Sequence, residues 1–322
     1  MSEGEGRAMH VAIVGAGMAG LAAARRLRAH AVGCTLFDKS RGVGGRMATR
    51  RTEALHFDHG AQYFTARGAR FAALVARWQA DGRAAPWFPD AFVGVPGMTA
   101  PARAMLADTA LVAGCQVSAL GRDAAGWTVA TAAGPVDTPG NGSFDAVLLA
   151  VPSPQAVPLA ASAGVALPGL ARPRYAPCWA LMLGFDAPCG LDGDHLRPAA
   201  GPIAWIARNG TKPGRPADHE AVVIHATPAW SQANLELTPE AAAAALGAAF
   251  AAETGVTATP SFAAAHRWRY ALVETPLGQP CLWDAAARLG ACGDWCLGPR
   301  VEAAFDSGEA LAETVAAALG RG

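Results

Sequence analysis

A chain of 322 residues, 52% apolar and 16% charged, is long enough to bury a sizeable core and too apolar to be disordered. Its 26 basic and 26 acidic side chains cancel, and no run of Lys or Arg builds the positive surface that a phosphate backbone requires, so no nucleic-acid partner is expected. Seven scattered cysteines, an odd number, do not read as a secreted disulfide framework or a zinc site, and no apolar run reaches the roughly 18 residues of a membrane span; a cytoplasmic protein with no membrane partner is expected.

His10-Val-Ala-Ile-Val14 reads as a short buried parallel strand, Gly15-Ala-Gly-Met-Ala-Gly20 as a tight turn, and residues 21–30 as a helix rich in Ala, Leu and Arg. Residues 11–24 are as apolar as a signal peptide, but the glycine spacing argues for a nucleotide-binding turn instead. Gly15 lets the chain turn sharply, Gly17 lets backbone approach a pyrophosphate, and Gly20 lets the helix pack on the sheet; Ala16, Met18 and Ala19 complete the turn, whose free N–H groups lie at the positive end of the helix. A second strand, Gly33-Cys-Thr-Leu-Phe-Asp38, ends in an acid 18 residues after Gly20. Asp38 can accept both hydroxyls of an adenosine ribose and disfavours a 2′-phosphate, so the tightly held nucleotide is not NADP.

Immediately afterwards, Lys39-Ser-Arg-Gly-Val-Gly-Gly-Arg-Met-Ala-Thr49 resembles the G-G-R-x-x-[S/T] signature that follows the first nucleotide motif in the amine oxidase and related FAD families. The physical sense is a second close backbone approach at Gly44 and Gly45, with Arg46 neutralising pyrophosphate charge; Lys39 lies beside it. Residues 115–120 and 126–130 alternate as strands of a small antiparallel sheet, and residues 144–151 form another buried strand, stopped by Pro152. In the resembled families the residue at Val117 contacts adenine through its backbone, and the strand ending at Val151 closes the nucleotide domain.

Three strand-like runs follow, at residues 178–185, 203–207 and 221–226, then a helix through 241–253 capped by Thr238 with Pro239 in its first turn. They predict a mixed sheet with helices that roofs the flavin. Near the C-terminus, Gly290-Ala-Cys-Gly-Asp-Trp-Cys-Leu-Gly-Pro-Arg-Val301 places Gly293 and Asp294 ahead of a helix starting near Val301, beside Arg300. This resembles the last FAD motif, in which an Asp holds ribityl or phosphate oxygens and the helix directs its positive end to the N1 and O2 edge of the flavin.

Asp58-His-Gly-Ala-Gln-Tyr-Phe-Thr-Ala-Arg67, joined to D-K-S-R-G-x-G-G-R-M, resembles the bacterial renalase signature. Gly94-Val-Pro-Gly-Met-Thr99, Trp205-Ile-Ala-Arg-Asn-Gly-Thr-Lys-Pro-Gly214, His266-Arg-Trp-Arg-Tyr-Ala271 and the terminal G-D-W-C-L-x-x-R-V-E-x-A run follow in that family's order. The resemblance implies an α/β fold: a Rossmann-type FAD-binding domain with an inserted α+β substrate domain, as in amine oxidases and p-hydroxybenzoate hydroxylase-like proteins. The expected boundaries are 9–70, 98–160 and 285–322 for FAD, and 71–97 and 161–284 for substrate. The implied activity is oxidation of 2-dihydro or 6-dihydro isomers of NAD(P) to NAD(P)+, with noncovalent FAD taking hydride at N5 and O2 becoming hydrogen peroxide. The alternatives are an FAD amine oxidase and a noncatalytic flavin carrier.

No protein base has to act, because hydride leaves as the nicotinamide becomes aromatic; His59 and His225 are therefore not assigned as acid or base, and no catalytic side chain or metal is expected. Motif position sets Gln62 and Tyr63 against the flavin, with Met98 and Thr99 nearby. Asn209, Thr227, Trp230 and Trp268 are the candidates for the dihydronicotinamide dinucleotide. Trp230 and Trp268 are equally readable as core aromatics, and Asn209 as a turn residue before Pro213. Arg208, Lys212, Arg267 and Arg269 read either as contacts to substrate phosphates or as solvated surface charges. A short Ala-rich stretch between Arg67 and Gly94, and Pro299 in the last motif, depart from the family pattern.

Overall fold

A computed structural model of the protein describes residues 9–132, 134, 142–216 and 218–320. The chain divides into two units. The first holds the described residues through Gly45, Ala102–Pro173, and those from Thr275 onward; the second holds Arg46–Pro101 and Arg174–Glu274.

The first unit is built on a six-stranded sheet in the order Leu282–Asp284, Leu289–Ala291, Ala146–Leu149, His10–Val14, Gly33–Asp38, Ala110–Ala113. The four pairings from Leu289–Ala291 to Ala110–Ala113 are parallel, and Leu282–Asp284 adds antiparallel at one edge. The apolar runs that predict buried strands are buried throughout their central strands, as parallel strands covered on both faces must be. Helix Met18–Ala29 packs along helix Val301–Ala318, where a Cβ on Gly308 would collide with the Ala19 carbonyl. The expected small antiparallel pair is Val117–Asp123 with Gly126–Thr131.

The second unit carries a five-stranded sheet ordered His195–Leu196, Ile203–Arg208, Glu220–Ala226, Arg174–Phe185, Phe262–Thr275. The pairings across its first four strands are antiparallel. Residues 209–219 link Arg208 to Glu220, opening with the 3-10 turn Asn209–Thr211. Period-two alternation separates the two faces. Leu181, Leu183, Val222 and Ile224 meet Leu246 and Phe250 of helix Pro239–Thr254, while Met182 and Val223 meet Leu55 and Phe57. That helix starts as expected: the Thr238 side chain accepts from Ala241 N at 3.2 Å and Pro239 occupies the first turn. Phe262–Thr275, which contains H-R-W-R-Y-A, was legible only as a motif and is a 14-residue strand.

The division falls at Gly45 and Pro101 instead of residues 70 and 98. Residues 46–70 include the hairpin of Thr49–Arg51 with His56–Asp58, and its Phe57 and Leu55 pack on the second unit's sheet. Apolar burial, which the glycine motif does not reveal, assigns the hairpin to that unit. Residues 161–173 and 275–284 go the other way. Leu282–Asp284 pairs with Leu289–Ala291, and Leu277 N donates to Trp295 O at 2.8 Å.

Candidate functional site

In the first unit, the strand His10–Val14 ends in a turn whose three glycines have different reasons to be glycine. Gly15 has φ of +107° and no room for a Cβ beside the Ala150 carbonyl, and a Cβ on Gly20 would collide with the Gly15 carbonyl. The fold itself requires both. Gly17 has an ordinary extended conformation, and a Cβ built on it meets nothing within 4 Å. No steric clash requires that glycine, beyond its modest preference as the N-cap of the helix, whereas a ligand phosphate drawn against the backbone does. Helix Met18–Ala29 begins there without a side-chain cap or an acid in its first turn, leaving its N–H groups and positive end for an anion. Gly44 N donates to Ala16 O at 2.9 Å, so the second glycine pair is laid against the first turn, with Gly45 at φ +53°.

Asp38 closes the strand Gly33–Asp38, accepting from Ala16 N at 2.7 Å through Oδ2 and from Ser40 N at 2.7 Å through Oδ1. Each oxygen keeps a second lone pair, which suits a pair of ribose hydroxyls. Lys39 is exposed and Val117 is buried in register with Thr131. In the C-terminal part of this unit, Gly293 N donates to the Ser307 hydroxyl at 3.0 Å. Asp294 is buried at the start of a single 3-10 turn, and an exposed Arg300 precedes Val301–Ala318 as its N-cap residue. These residues fit a flavin dinucleotide: they offer backbone donors for a pyrophosphate, an acid for a ribose, and a long helix N-terminus. All seven cysteines are free, and burial pushes the Cys34, Cys178 and Cys296 thiols up to about 12.

The second unit brings most of the remaining motif residues onto one segment, 58–62. Asp58 is fully buried; its Oδ1 accepts from the Thr49 hydroxyl at 2.7 Å and Met98 N at 3.0 Å, and its Oδ2 from Lys212 Nζ at 3.2 Å and Arg215 Nη2 at 2.5 Å. Burial would raise its carboxyl, but Lys212 and Arg215 outweigh burial and hold it well below the usual carboxylate range. The Asp58 N–H donates to Asn209 Oδ1 at 2.8 Å, and its carbonyl accepts from Gln62 Nε2. Gln62 Oε1 in turn accepts from Lys212 Nζ at 3.1 Å and Asn209 Nδ2 at 3.5 Å. The His59 carbonyl accepts from the Trp268 indole at 2.9 Å and lies 3.2 Å from His225 Nε2, and the Ala61 N–H donates to Arg46 O at 2.8 Å. Arg46 Nη1 also donates to Ala271 O at 3.1 Å. Thr99 is buried, its hydroxyl accepting from Thr49 N at 3.0 Å.

Burial lowers both His59 and His225 to about 4, so each imidazole is neutral near pH 7. His59 stacks on Trp268 with ring centroids 5.2 Å apart. Lys212 is brought down to about 8 by burial and by Arg215, against the opposing pull of Asp58.

This network revises several expectations. Asn209 bonds the Asp58 N–H and the Gln62 side chain and Trp268 the His59 carbonyl, so they shape the segment from behind; the turn reading of Asn209 is met by the 3-10 turn Asn209–Thr211. Thr227 accepts from Trp230 N at 3.2 Å as the cap of helix Pro228–Ala233, and Trp230 leans on the sheet's core cluster. No hydrogen bond or ring contact among the described residues links this pair to Asn209 or Trp268. Of the four cations offered to phosphates, Lys212 is buried, Arg208 pairs with Glu220, and Arg267 and Arg269 pair with Glu236. Asp58 and Arg215 escaped notice as partners because nothing in their local sequence announces a bond across 157 positions. Tyr63 lies in a ring cluster: it is 4.9 Å from Phe88 and 5.9 Å from Trp205, its hydroxyl accepts from Arg197 at 3.1 Å, and Arg197 lies 4.3 Å over Trp205.

A largely parallel nucleotide-binding sheet with G-x-G-x-x-G at its first turn, and a second unit built on a five-stranded sheet, define a dinucleotide-dependent oxidoreductase. The flavin containing amine oxidoreductase family matches residues 69–316, and the NAD(P)-binding Rossmann-like domain matches residues 13–78. The chain belongs to the flavin containing amine oxidoreductase family, and its cofactor is FAD. Among solved structures, a protein of Exiguobacterium sp. 255-15 named for a suggested protoporphyrinogen oxidase activity superposes with a TM-score of 0.74 at 14% identity, covering 98% of this chain and 99% of that one. A redesigned double mutant of putrescine oxidase gives a TM-score of 0.69 at 14% identity over 96% and 100% of the two chains. A 4,4'-diapophytoene desaturase of Staphylococcus haemolyticus (strain JCSC1435) is 48% identical over 52 residues, 16% of this chain; the chain spans only 10% of that relative's length. No helix among the described residues is long and apolar enough to cross a membrane.

Proposed function

We propose that the protein is a renalase-like oxidase that takes hydride from 2-dihydro or 6-dihydro isomers of NAD(P), releases NAD(P)+ and reduces O2 to hydrogen peroxide. The observation that carries this reading is the convergence in the second unit. The segments resembling the renalase motifs, at Met98, Asn209, Lys212 and Trp268, all bond residues 58–62, which themselves carry the family's D-H-G-A-Q signature. The ring loses a hydride, and O2 takes those two electrons together with that hydrogen and one solvent proton. When bound, noncovalent FAD supplies the two-electron acceptor and the reaction with O2.

The residues proposed to hold FAD are the turn from Gly15 to Gly20, Asp38, Lys39, Gly45, Val117, Gly293, Asp294, Arg300 and Val301 in the first unit. In the second they are Arg46, Gln62, Tyr63, Met98 and Thr99. Thr227 and Trp230 stay as candidates for direct substrate contact, with Asn209 and Trp268 acting through the segment they hold. His59 and His225 fit a reaction that needs no base: burial makes both weak bases, with His59 stacked on Trp268 and His225 beside the His59 carbonyl. Seven free cysteines suit a reducing cytoplasm.

Amine oxidation is the second reading, favoured by the ring cluster of Tyr63, Phe88 and Trp205, which already stacks the Arg197 cation. Anaerobic mixing separates the two. The proposal expects prompt bleaching of the flavin by dihydroNAD(P) isomers and none by small amines. Bleaching by amines alone supports the second reading, and bleaching by neither makes the protein a flavin carrier.

A further inference from the structure

Asp58 has one negative charge and two buried cations. Arg215 alone can neutralise it: its Nη2 reaches Oδ2 at 2.5 Å, and its Nη1 is also tied to Gly94 O and Pro213 O, both at 2.9 Å. Lys212 is therefore a surplus charge with no exposed side-chain surface, and a buried cation beyond the need of its counterion is disfavoured by desolvation. Such a group contributes little to stability. Its three donors have a definite use. One goes to Asp58 Oδ2 at 3.2 Å and one to Gln62 Oε1 at 3.1 Å, and the ammonium lies 4.8 Å over the Trp87 ring. With Asn209 on the same Oε1 and the Asp58 and Gly60 carbonyls on Nε2, the orientation of the Gln62 amide is fixed at both ends. Meanwhile the backbone N–H groups of Gln62 and Tyr63 form no hydrogen bond among the described residues.

We propose that Lys212 is a positioning residue: by bridging Asp58 and the Gln62 side chain it locks residues 58–63 so that the free N–H groups of Gln62 and Tyr63 stay presented to the flavin. This rests on the assignment of that segment to the flavin made above. The groups facing the ammonium are Asp58 and Gln62 from the hairpin and its following segment, Arg215 from its own loop, Trp87 from the strand Ala84–Phe88, and His225 from the strand Glu220–Ala226. Asp58 stays ionised and His225 neutral at any pH above 6, so Lys212 alone in this cluster changes charge between pH 7 and 9, around its lowered value of about 8. Deprotonation leaves two N–H donors but removes the charge that strengthens the bonds to both partners.

The test uses the full-length chain and its Lys212→Met variant, with FAD affinity and the visible spectrum of bound FAD recorded without turnover from pH 6.5 to 9.5. The expected result is a single transition near pH 8 in the wild type and a flat profile in the variant. FAD binding at pH 7 should weaken roughly tenfold, the loss of about one charge-assisted hydrogen bond. If the variant does not fold, the wild-type profile decides: no transition in spectrum or affinity around pH 8 overturns the proposal. Equal affinity and identical spectra in wild type and variant overturn it while leaving the cofactor assignment intact. A wild type that binds no FAD sinks both. A further readout needs no flavin. Because the folded chain holds Lys212 below its ordinary value of 10.5, wild-type stability should rise relative to the variant between pH 8 and 10; a difference in denaturation midpoints that ignores pH contradicts a titrating Lys212.

Discussion

The nucleotide turn of the first unit and the clamped segment of the second solve similar problems by opposite means. The turn is made of contiguous backbone, Gly15 to Gly20, with its acid at Asp38 on the neighbouring strand. Residues 58–62 are held instead by side chains from Thr49, Asn209, Lys212, Arg215, His225 and Trp268, with the Met98 backbone N–H. The first arrangement is largely steric, set by backbone contacts at its glycines. The second is electrostatic and buried, so it depends on every partner being present in one protonation state.

The sharpest way to break the contrast is Asp58→Ala. It leaves Lys212 and Arg215 as buried cations without a counterion, and removing one partner of a buried pair costs about 3–5 kcal/mol. Urea denaturation should show a loss of that size; a loss below about 1 kcal/mol would mean that the network does not hold the second unit together.

Acid should separate the units next. His59 and His225 titrate at about 4 in the fold against 6.5 for the ordinary group. Above about pH 7.5 neither state is appreciably protonated and nothing is lost. As pH falls from 6.5 towards 4, the unfolded chain takes up protons that the fold refuses, so stability drops, by on the order of 2 kcal/mol per imidazole at pH 5. The depressed carboxyl of Asp58 contributes stability above its ordinary value of 3.8 that is lost only in stronger acid. Hydrogen exchange at pH 5 should therefore show protection falling first in the strand Glu220–Ala226. Earlier loss in His10–Val14 would reverse the comparison.

In the first unit the corresponding break is steric. Gly20→Ala gains up to about 1 kcal/mol of helix propensity but drives a Cβ into the Gly15 carbonyl, and overpacking of this kind costs about 1–3 kcal/mol. A net destabilisation in thermal melts is expected, and a stabilised variant would show that the helix can move away freely. Smaller still is Trp268→Phe, which keeps a ring to stack on His59 but removes the indole donor to the His59 carbonyl. It should cost about 1 kcal/mol in denaturant midpoint.

How much was legible in the sequence follows from the same contrast. The strand, turn and helix around Gly15, the acid at Asp38, the capped helix after Thr238 and the last helix at Val301 are each specified by neighbours within a few positions, and each forms where its local signal stands. The clamp was visible only as disconnected motifs. Nothing in R-N-x-x-K-P says that Asn209 bonds the Asp58 N–H or that its lysine is buried, because that depends on strand pairing in the antiparallel sheet. Lys212 therefore passed for a phosphate contact or a surface charge, and the boundary at Gly45 lay hidden in the packing of Leu55 and Phe57.

The least disruptive change tests the ligand and not the fold. At Gly17 an added Cβ enters open space and the backbone is already in a conformation that any residue adopts. Alanine narrows the unfolded ensemble, a gain of about 0.4–1 kcal/mol, and is a poorer N-cap than glycine by a similar amount, so the two effects nearly cancel. Gly17→Ala should melt within about 0.5 kcal/mol of the wild type. If the emptiness above Gly17 exists for a pyrophosphate, the same methyl group occupies the approach and FAD binding should weaken by an order of magnitude or more, measured as flavin fluorescence on titration. A variant that binds FAD as tightly as the wild type would show that the second glycine of the motif is there by composition, and that the phosphates are held elsewhere in the unit.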